Sequence, residues 1–200
     1  MRKILIIAII TVILIILAGK LFTNIAGERI MEKFINYTPE SKELNFTFMY
    51  PKSWKISETK GMHEDYSEVF MLGRSNAEKT TRASIALAVY PIRSLRDYSG
   101  LESYCDDYIS KRTAFNNFKL MDRSHKDLYE KNVIHLEFEY MLRLPLYSAN
   151  AMDVLVKSDV IIFERDGKLY NFAYENDGRG FKIGLFVFEK ILKSLRFQAK

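Results

Sequence analysis

Three observations predict an α+β domain built on an antiparallel sheet. About seven runs either alternate apolar with polar residues or are short and wholly apolar, the patterns of half-buried and fully buried strands. Most of these runs are joined by short turns, and Asp166-Gly167 is the strongest hairpin signal among them. Only two stretches mark one face at helical spacings of three and four. They are Leu101, Tyr104, Cys105, Tyr108, Ile109 and Arg112, and then Phe181, Leu185, Phe188, Ile191/Leu192 and Leu195. Runs of strands with a few helices between hairpins are the signature of α+β rather than α/β.

The chain opens differently. Ile4–Gly19 is sixteen residues without a charge, preceded by Arg2 and Lys3. As a helix it spans about 24 Å, short of the roughly 30 Å hydrocarbon core. Lys20 can snorkel, which lets Leu21, Phe22, Ile25 and Ala26 lengthen the span. Cleavage after Ala18, Gly19 or Ala26 places Ile16, Leu17 or Asn24 where a small residue is needed, and no cysteine follows as a lipoprotein signal requires. Residues 1–26 are therefore expected to be an N-terminal transmembrane helix that meets the lipid bilayer through residues 4–26, with a cleaved secretory signal as the alternative. Arg2, Lys3 and the terminal amine place the amino end in the cytoplasm and the carboxyl-terminal domain outside.

Residues 27–43 read as a helical extension and linker. Ile30, Met31, Phe34 and Ile35 carry helical spacing to about Tyr37; Thr38-Pro39-Glu40-Ser41-Lys42 is polar, and Pro39 turns Thr38 away from helix. The domain then occupies residues 44–200. Leu44, Phe46, Phe48 and Tyr50 alternate in a strand that Pro51 ends, and Glu68–Leu72 and Ser84–Tyr90 follow as strands. An amphipathic helix is expected from about Leu95 to Thr113. Phe118–Leu128 and Val133–Leu142 form a hairpin turning at Tyr129–Asn132, with Ile134, Leu136, Phe138, Tyr140 and Leu142 facing one way. Val154–Glu164 and Lys168–Tyr174 flank Asp166-Gly167, and the second helix finishes near Leu195.

Charge narrows the function classes. The 200 residues hold 30 Lys and Arg against 25 Asp and Glu, a formal +5. Arg2, Lys3 and Lys20 supply +3 of this, leaving +2 on residues 27–200. A nearly neutral body is no nucleic-acid footprint, and the loop carrying Arg74, Lys79 and Arg82 is interrupted by Glu78. The single cysteine, Cys105, excludes an internal disulfide and a cysteine-based metal cluster, and it falls on the apolar side of its helix.

Several constellations invite a chemical reading. Gly178-x-Gly180-x-x-x-Gly184 opens a helix after a strand, but its spacing is one residue too long for a dinucleotide loop and no second parallel strand follows. It reads as a glycine-rich turn, with Arg179 and Lys182 near free N–H groups that could hold an anion. His135, Glu137 and Glu139 share one strand face, but His135 and Glu139 are roughly 13 Å apart along it, so a metal would need ligands from elsewhere. A solvated or helix-covered polar face is expected there. His63-Glu64-Asp65 reads as a solvated loop and His125 as part of a polar hairpin surface, and no G-x-S-x-G elbow occurs. No catalytic, cofactor-binding or metal residue is assigned.

The run Phe48-Met49-Tyr50-Pro51-Lys52-Ser53-Trp54-Lys55-Ile56 resembles the opening of PsbP/Mog1-like domains, where a strand ends in Tyr-Pro and a tryptophan follows three residues on. Leu169-Tyr170-Asn171-Phe172-Ala173-Tyr174, and later Ile191-Leu192-Lys193-Ser194-Leu195-Arg196-Phe197, are similar to that family's closing strand and helix. Ser53 stands where a glycine often precedes the tryptophan. The resemblance covers residues 44–198 and implies an α/β/α sandwich around a central antiparallel sheet. Known members of the family bind partners. The function expected is a non-enzymatic, membrane-anchored extracytoplasmic accessory or binding domain of a bacterium, acting through a protein partner in the cell envelope. A small-molecule or lipid-binding carrier or sensor with an apolar pocket is the alternative. A hydrolase is a third class, which requires His63, His125 or His135 beside a carboxylate or hydroxyl in a cleft.

Overall fold

A turn with two positive-φ residues sits at the centre of the architecture. Asp166 (φ 52°) and Gly167 (φ 72°) form the tight turn that the Asp-Gly pair prescribes. They join strand β8 (Met152–Arg165) to β9 (Lys168–Asp177), with Arg165 opposite Lys168 and the pairing continuing to Val156 opposite Asp177. The structure, a computed structural model, describes residues 33–60, 66–75, 82–128, 130–144 and 150–198. The expected membrane segment, residues 1–26, lies outside these, as do His63-Glu64-Asp65 and Lys79. Among the described residues no helix is long and apolar enough to cross a membrane.

Seven strands form one antiparallel sheet. They are β3 (Lys55–Lys60), β4 (Ser67–Ser75), β5 (Arg82–Pro91), β6 (Asn116–Leu128), β7 (Glu130–Leu144), β8 and β9, in the order β3-β4-β5-β9-β8-β7-β6. Helix α1 (Leu101–Arg112) carries the chain from β5, inside the sheet, to β6 at its far edge. A smaller sheet has the order β1 (Phe34–Tyr37), β2 (Phe46–Pro51) and β10 (Arg196–Phe197). Helix α2 (Phe181–Ser194) packs on β2, β9 and β5. The α+β class and its antiparallel sheet with two helices stand as the sequence predicts.

Strand parity separates two cores. Ile161, Phe163, Tyr170, Phe172 and Tyr174 point to one side, where they join Phe46 and Phe48 of β2 and Phe188 and Ile191 of α2. Val160, Ile162 and Leu169 point to the other, with Ile134, Leu136, Phe138 and Tyr140 of β7, against Cys105 and Tyr108 of α1. The unbroken apolar run Val160–Phe163 is thus a strand buried on both faces. Arg112 belongs to the apolar side of α1 because its guanidinium lies 3.4 Å from the centre of the Tyr108 ring.

Two expectations need correction. Helical spacing does not reach Tyr37: Phe34–Tyr37 is strand, because the two-residue period of Ile35 and Tyr37 meets the β2 aromatics. Tyr37 lies 5.3 Å from Phe48 and 5.8 Å from Tyr50, ring centre to ring centre, a gain that spacing along the sequence does not reveal. The first helix starts at Leu101 rather than Leu95. Ile92–Ser94 is a short 3-10 turn, and Asp97 (φ 58°) and Gly100 (φ 134°) take conformations that no α-helix admits. Lys55–Lys60 is a further strand, one that the sequence reading did not assign, and its only large apolar residue is Ile56. As an edge strand rich in charge it needs no apolar alternation, and the charge discourages further pairing.

The segment expected as a linker is held in place. Tyr37 donates its hydroxyl to Glu58 Oε1 at 2.6 Å, and the backbone N–H groups of Glu40 and Ser41 donate to the same carboxylate at 2.7 and 3.0 Å. Burial pushes the Glu58 carboxyl up, but these three donors outweigh it and hold the group below the usual glutamate value. A carboxyl lowered on folding adds stability above its unfolded pKa and loses it as pH falls through the folded value. Acidification through the carboxylate range is therefore expected to release residues 37–41 early. Amide hydrogen exchange at Glu40 and Ser41 should accelerate beyond the intrinsic pH effect while β8 stays protected, and Glu58→Gln should show the same loss at neutral pH.

Candidate functional site

His135 lies on β7 with the parity of Val133, on the α2 side of the sheet rather than the α1 side. It is 1% exposed, so of the two alternatives expected from the sequence, a solvated or a helix-covered polar face, the solvated one does not hold for the imidazole. The register of the two neighbouring strands supplies its partners. Ser124 of β6 is opposite His135, and Asp122 is opposite Glu137. Asp159, two residues before Ile161 on β8, is opposite Glu137 on the other side.

The Nδ1 atom of His135 lies 3.2 Å from Asp122 Oδ2, and Nε2 lies 3.0 Å from Asp159 Oδ2 and 3.6 Å from Glu137 Oε1. With an acceptor at each nitrogen, both ring N–H groups donate to carboxylates, which is the hydrogen-bonding pattern of an imidazolium. Burial lowers the His135 pKa; the hydrogen bond and charge of Asp159, together with Asp122, overcome burial and the opposing charge of Lys126, and raise it overall. Ser124 donates its hydroxyl to Asp122 at 2.7 Å, and that bond, ahead of the imidazole's influence, keeps the Asp122 carboxyl below its ordinary value. Glu139, the third member of the expected trio, turns elsewhere: it sits 3.5 Å from both Lys119 and Lys157.

The remaining sequence candidates resolve into structure. Gly180, just before α2, donates its N–H to Asp177 Oδ1 at 2.6 Å, so a carboxylate of the chain itself engages this turn. Gly184 is a packing glycine, since a Cβ there would overlap the Tyr174 hydroxyl oxygen, which itself donates to Phe181 O at 2.8 Å. Cys105 is buried under α1, and burial pushes its thiol up to about 12. His125 stands on the exposed surface, 3.2 Å from Glu102. For a hydrolase His135 lacks a free nitrogen: the neighbouring Ser124 hydroxyl is turned to Asp122, and both ring nitrogens face carboxylates.

Sequence reasoning passed over Asp122 and Asp159 because cross-strand register decides their position. One signal was available. Asp159 enters the run Val156–Phe163, and a carboxylate on a strand bound for burial requires a cationic or hydrogen-bonding partner.

Asp159→Ala is expected to leave the Nε2–H of His135 without its 3.0 Å acceptor, lowering unfolding free energy by roughly 1–3 kcal/mol, while Asp159→Asn, which keeps an acceptor oxygen, costs less. Gly184→Ala is expected to cost about 1–3 kcal/mol by overpacking against Tyr174. Urea unfolding midpoints check both, and an unchanged midpoint for Gly184→Ala overturns the packing role.

No protein-family model matches the chain, and no curated protein matches it in sequence. Among solved structures it is similar to PA94 of Pseudomonas aeruginosa, a protein of unknown function and putative regulator, at 10% identity and TM-score 0.51, over 84% of this chain and 99% of that one. It is also similar to the Ran-binding protein Mog1p of Saccharomyces cerevisiae, at 7% identity and TM-score 0.49, over 82% and 96% of the two chains. Cyanobacterial PsbP from Synechocystis aligns at 17% identity and TM-score 0.46, over 84% and 94%. At these identities the likeness concerns architecture and not activity. The chain shares its fold with PA94, in line with the resemblance to PsbP/Mog1-like domains read from the sequence.

Proposed function

We propose that the chain is a non-enzymatic, membrane-anchored accessory domain that works outside the cytoplasm by binding another protein of the cell envelope. The observation that carries this reading is the outer side of α2. Ile183 and Phe186, three residues apart and so on one helical face, are 56% and 49% exposed, while Phe188, Ile191 and Leu192 are buried beneath. Leu155 is 37% exposed, and its carbonyl accepts the N–H of Gly178 at 2.9 Å, in the turn that leads into α2. Large apolar side chains kept in water gain about 25 cal/mol for each Å² that a partner covers. The charge-free run Ile4–Gly19 behind Arg2 and Lys3 supports the anchor and the orientation.

The interior favours this reading over a ligand carrier, because aromatic rings fill the space between α2 and the sheet. Tyr174 stacks on Phe181 at 5.1 Å and on Phe188 at 5.9 Å, and Phe163 stacks on Tyr170 at 4.9 Å, between ring centres.

A photo-crosslinking amino acid at Phe186 in intact cells is expected to give one dominant protein adduct. The same group at Lys111, on the exposed side of α1, is expected to give none. Absence of an adduct at both positions, or a stoichiometric small molecule in an organic extract of the protein, overturns the reading. A carboxyl-terminal domain fully protected from protease added to intact cells overturns the orientation.

A further inference from the structure

Three carboxylates, those of Asp122, Glu137 and Asp159, lie 3.0–3.6 Å from the ring nitrogens of the buried His135. The contrast with Glu139 is direct, since that carboxylate lies between two lysines. A buried imidazole with carboxylates converging on it from three strands is also an expensive way to fill a sheet position that a valine would fill without desolvating a charge.

We propose that Asp122, His135 and Glu137 bind a first-row divalent cation, for which zinc is the probe. One donor atom from each residue lies within 4.8 Å of the others. Asp122 Oδ2 and His135 Nδ1 are 3.2 Å apart, close to the edge of about 3.3 Å that a tetrahedron with bonds of ~2.0–2.1 Å requires. Asp122 and Glu137 are cross-strand partners, so their carboxylates sit side by side. Glu137 is half-exposed and lies 3.6 Å from Nε2, so to join an ion at Nδ1 its side chain must swing along the ring edge. Asp159 then keeps the Nε2–H of His135 and fixes the ring, the carboxylate–histidine–metal arrangement that orients a ligand imidazole. Ser124 does the same for Asp122 through its 2.7 Å bond. An imidazole with two carboxylates suits zinc, manganese or iron(II) better than calcium, which prefers an all-oxygen shell. Three protein ligands leave one coordination position for water or a group from a partner.

The test is calorimetric titration of the untagged full-length chain, in detergent micelles, with zinc sulfate. Wild type is expected to take up one equivalent and to gain thermal stability from it. Glu137→Gln and Asp122→Asn alter exposed or half-exposed groups, so they keep the fold when His135→Gln does not. Each is expected to weaken zinc affinity by about 10–100-fold, with a metal-free melting temperature close to wild type. No zinc uptake by wild type, or undiminished affinity in both carboxylate variants, overturns the site.

Discussion

The pairing of β8 with β9 is the constraint on which the rest depends. Their central parts, Val160–Phe163 and Leu169–Phe172, are buried on both faces, so their register decides which side chains enter which core. A slip of one residue sends Ile161 and Phe163 to the α1 side and Val160 and Ile162 to the α2 side. The same slip carries Asp159 away from His135. The Asp166-Gly167 turn, with both residues at positive φ, fixes that register at its closed end, and the stacked rings of Phe163 and Tyr170 reinforce it. One local turn therefore determines the composition of two apolar layers and of the polar cluster beside them.

The candidate site follows from this framework rather than from a loop. Its members come from three adjacent strands, β6, β7 and β8, and share the α2-side face of the sheet. Strands hold side chains at fixed spacing, which is why the imidazole meets a carboxylate at each ring nitrogen instead of sampling several partners. The register irregularity in β6 between Leu120 and Asp122 matters here: it leaves Met121 unpaired and brings Asp122 opposite Glu137. Without the bulge, Met121 would occupy that place.

Much of the fold was legible in the sequence because its signals are local. The Asp-Gly turn, the alternation from Ile134 to Leu142 and the apolar spacing of α2 each lie within a short window. The missed elements depend on distant residues. β1 becomes a strand only because Phe48 and Tyr50 accept Tyr37, and β3 is defined by its pairing with β4 and not by its own composition. His135 and Glu137 were visible as a polar pair in an apolar strand. Asp122 and Asp159, 13 and 24 residues away, become neighbours through register, which a single sequence does not encode in readable form.

The small sheet has a consequence for the order of assembly. Met49 of β2 donates its N–H to the Ser194 hydroxyl, 145 residues further along the chain, and β10 pairs with Thr47 and Phe46. During synthesis β2 emerges long before α2 and β10 exist to cover it. Its aromatic face, Phe46, Phe48 and Tyr50, must then wait in the open, and closing so large a loop is slow on the entropic scale that governs folding rates. The small sheet therefore closes last, only when the final helix and strand have been made.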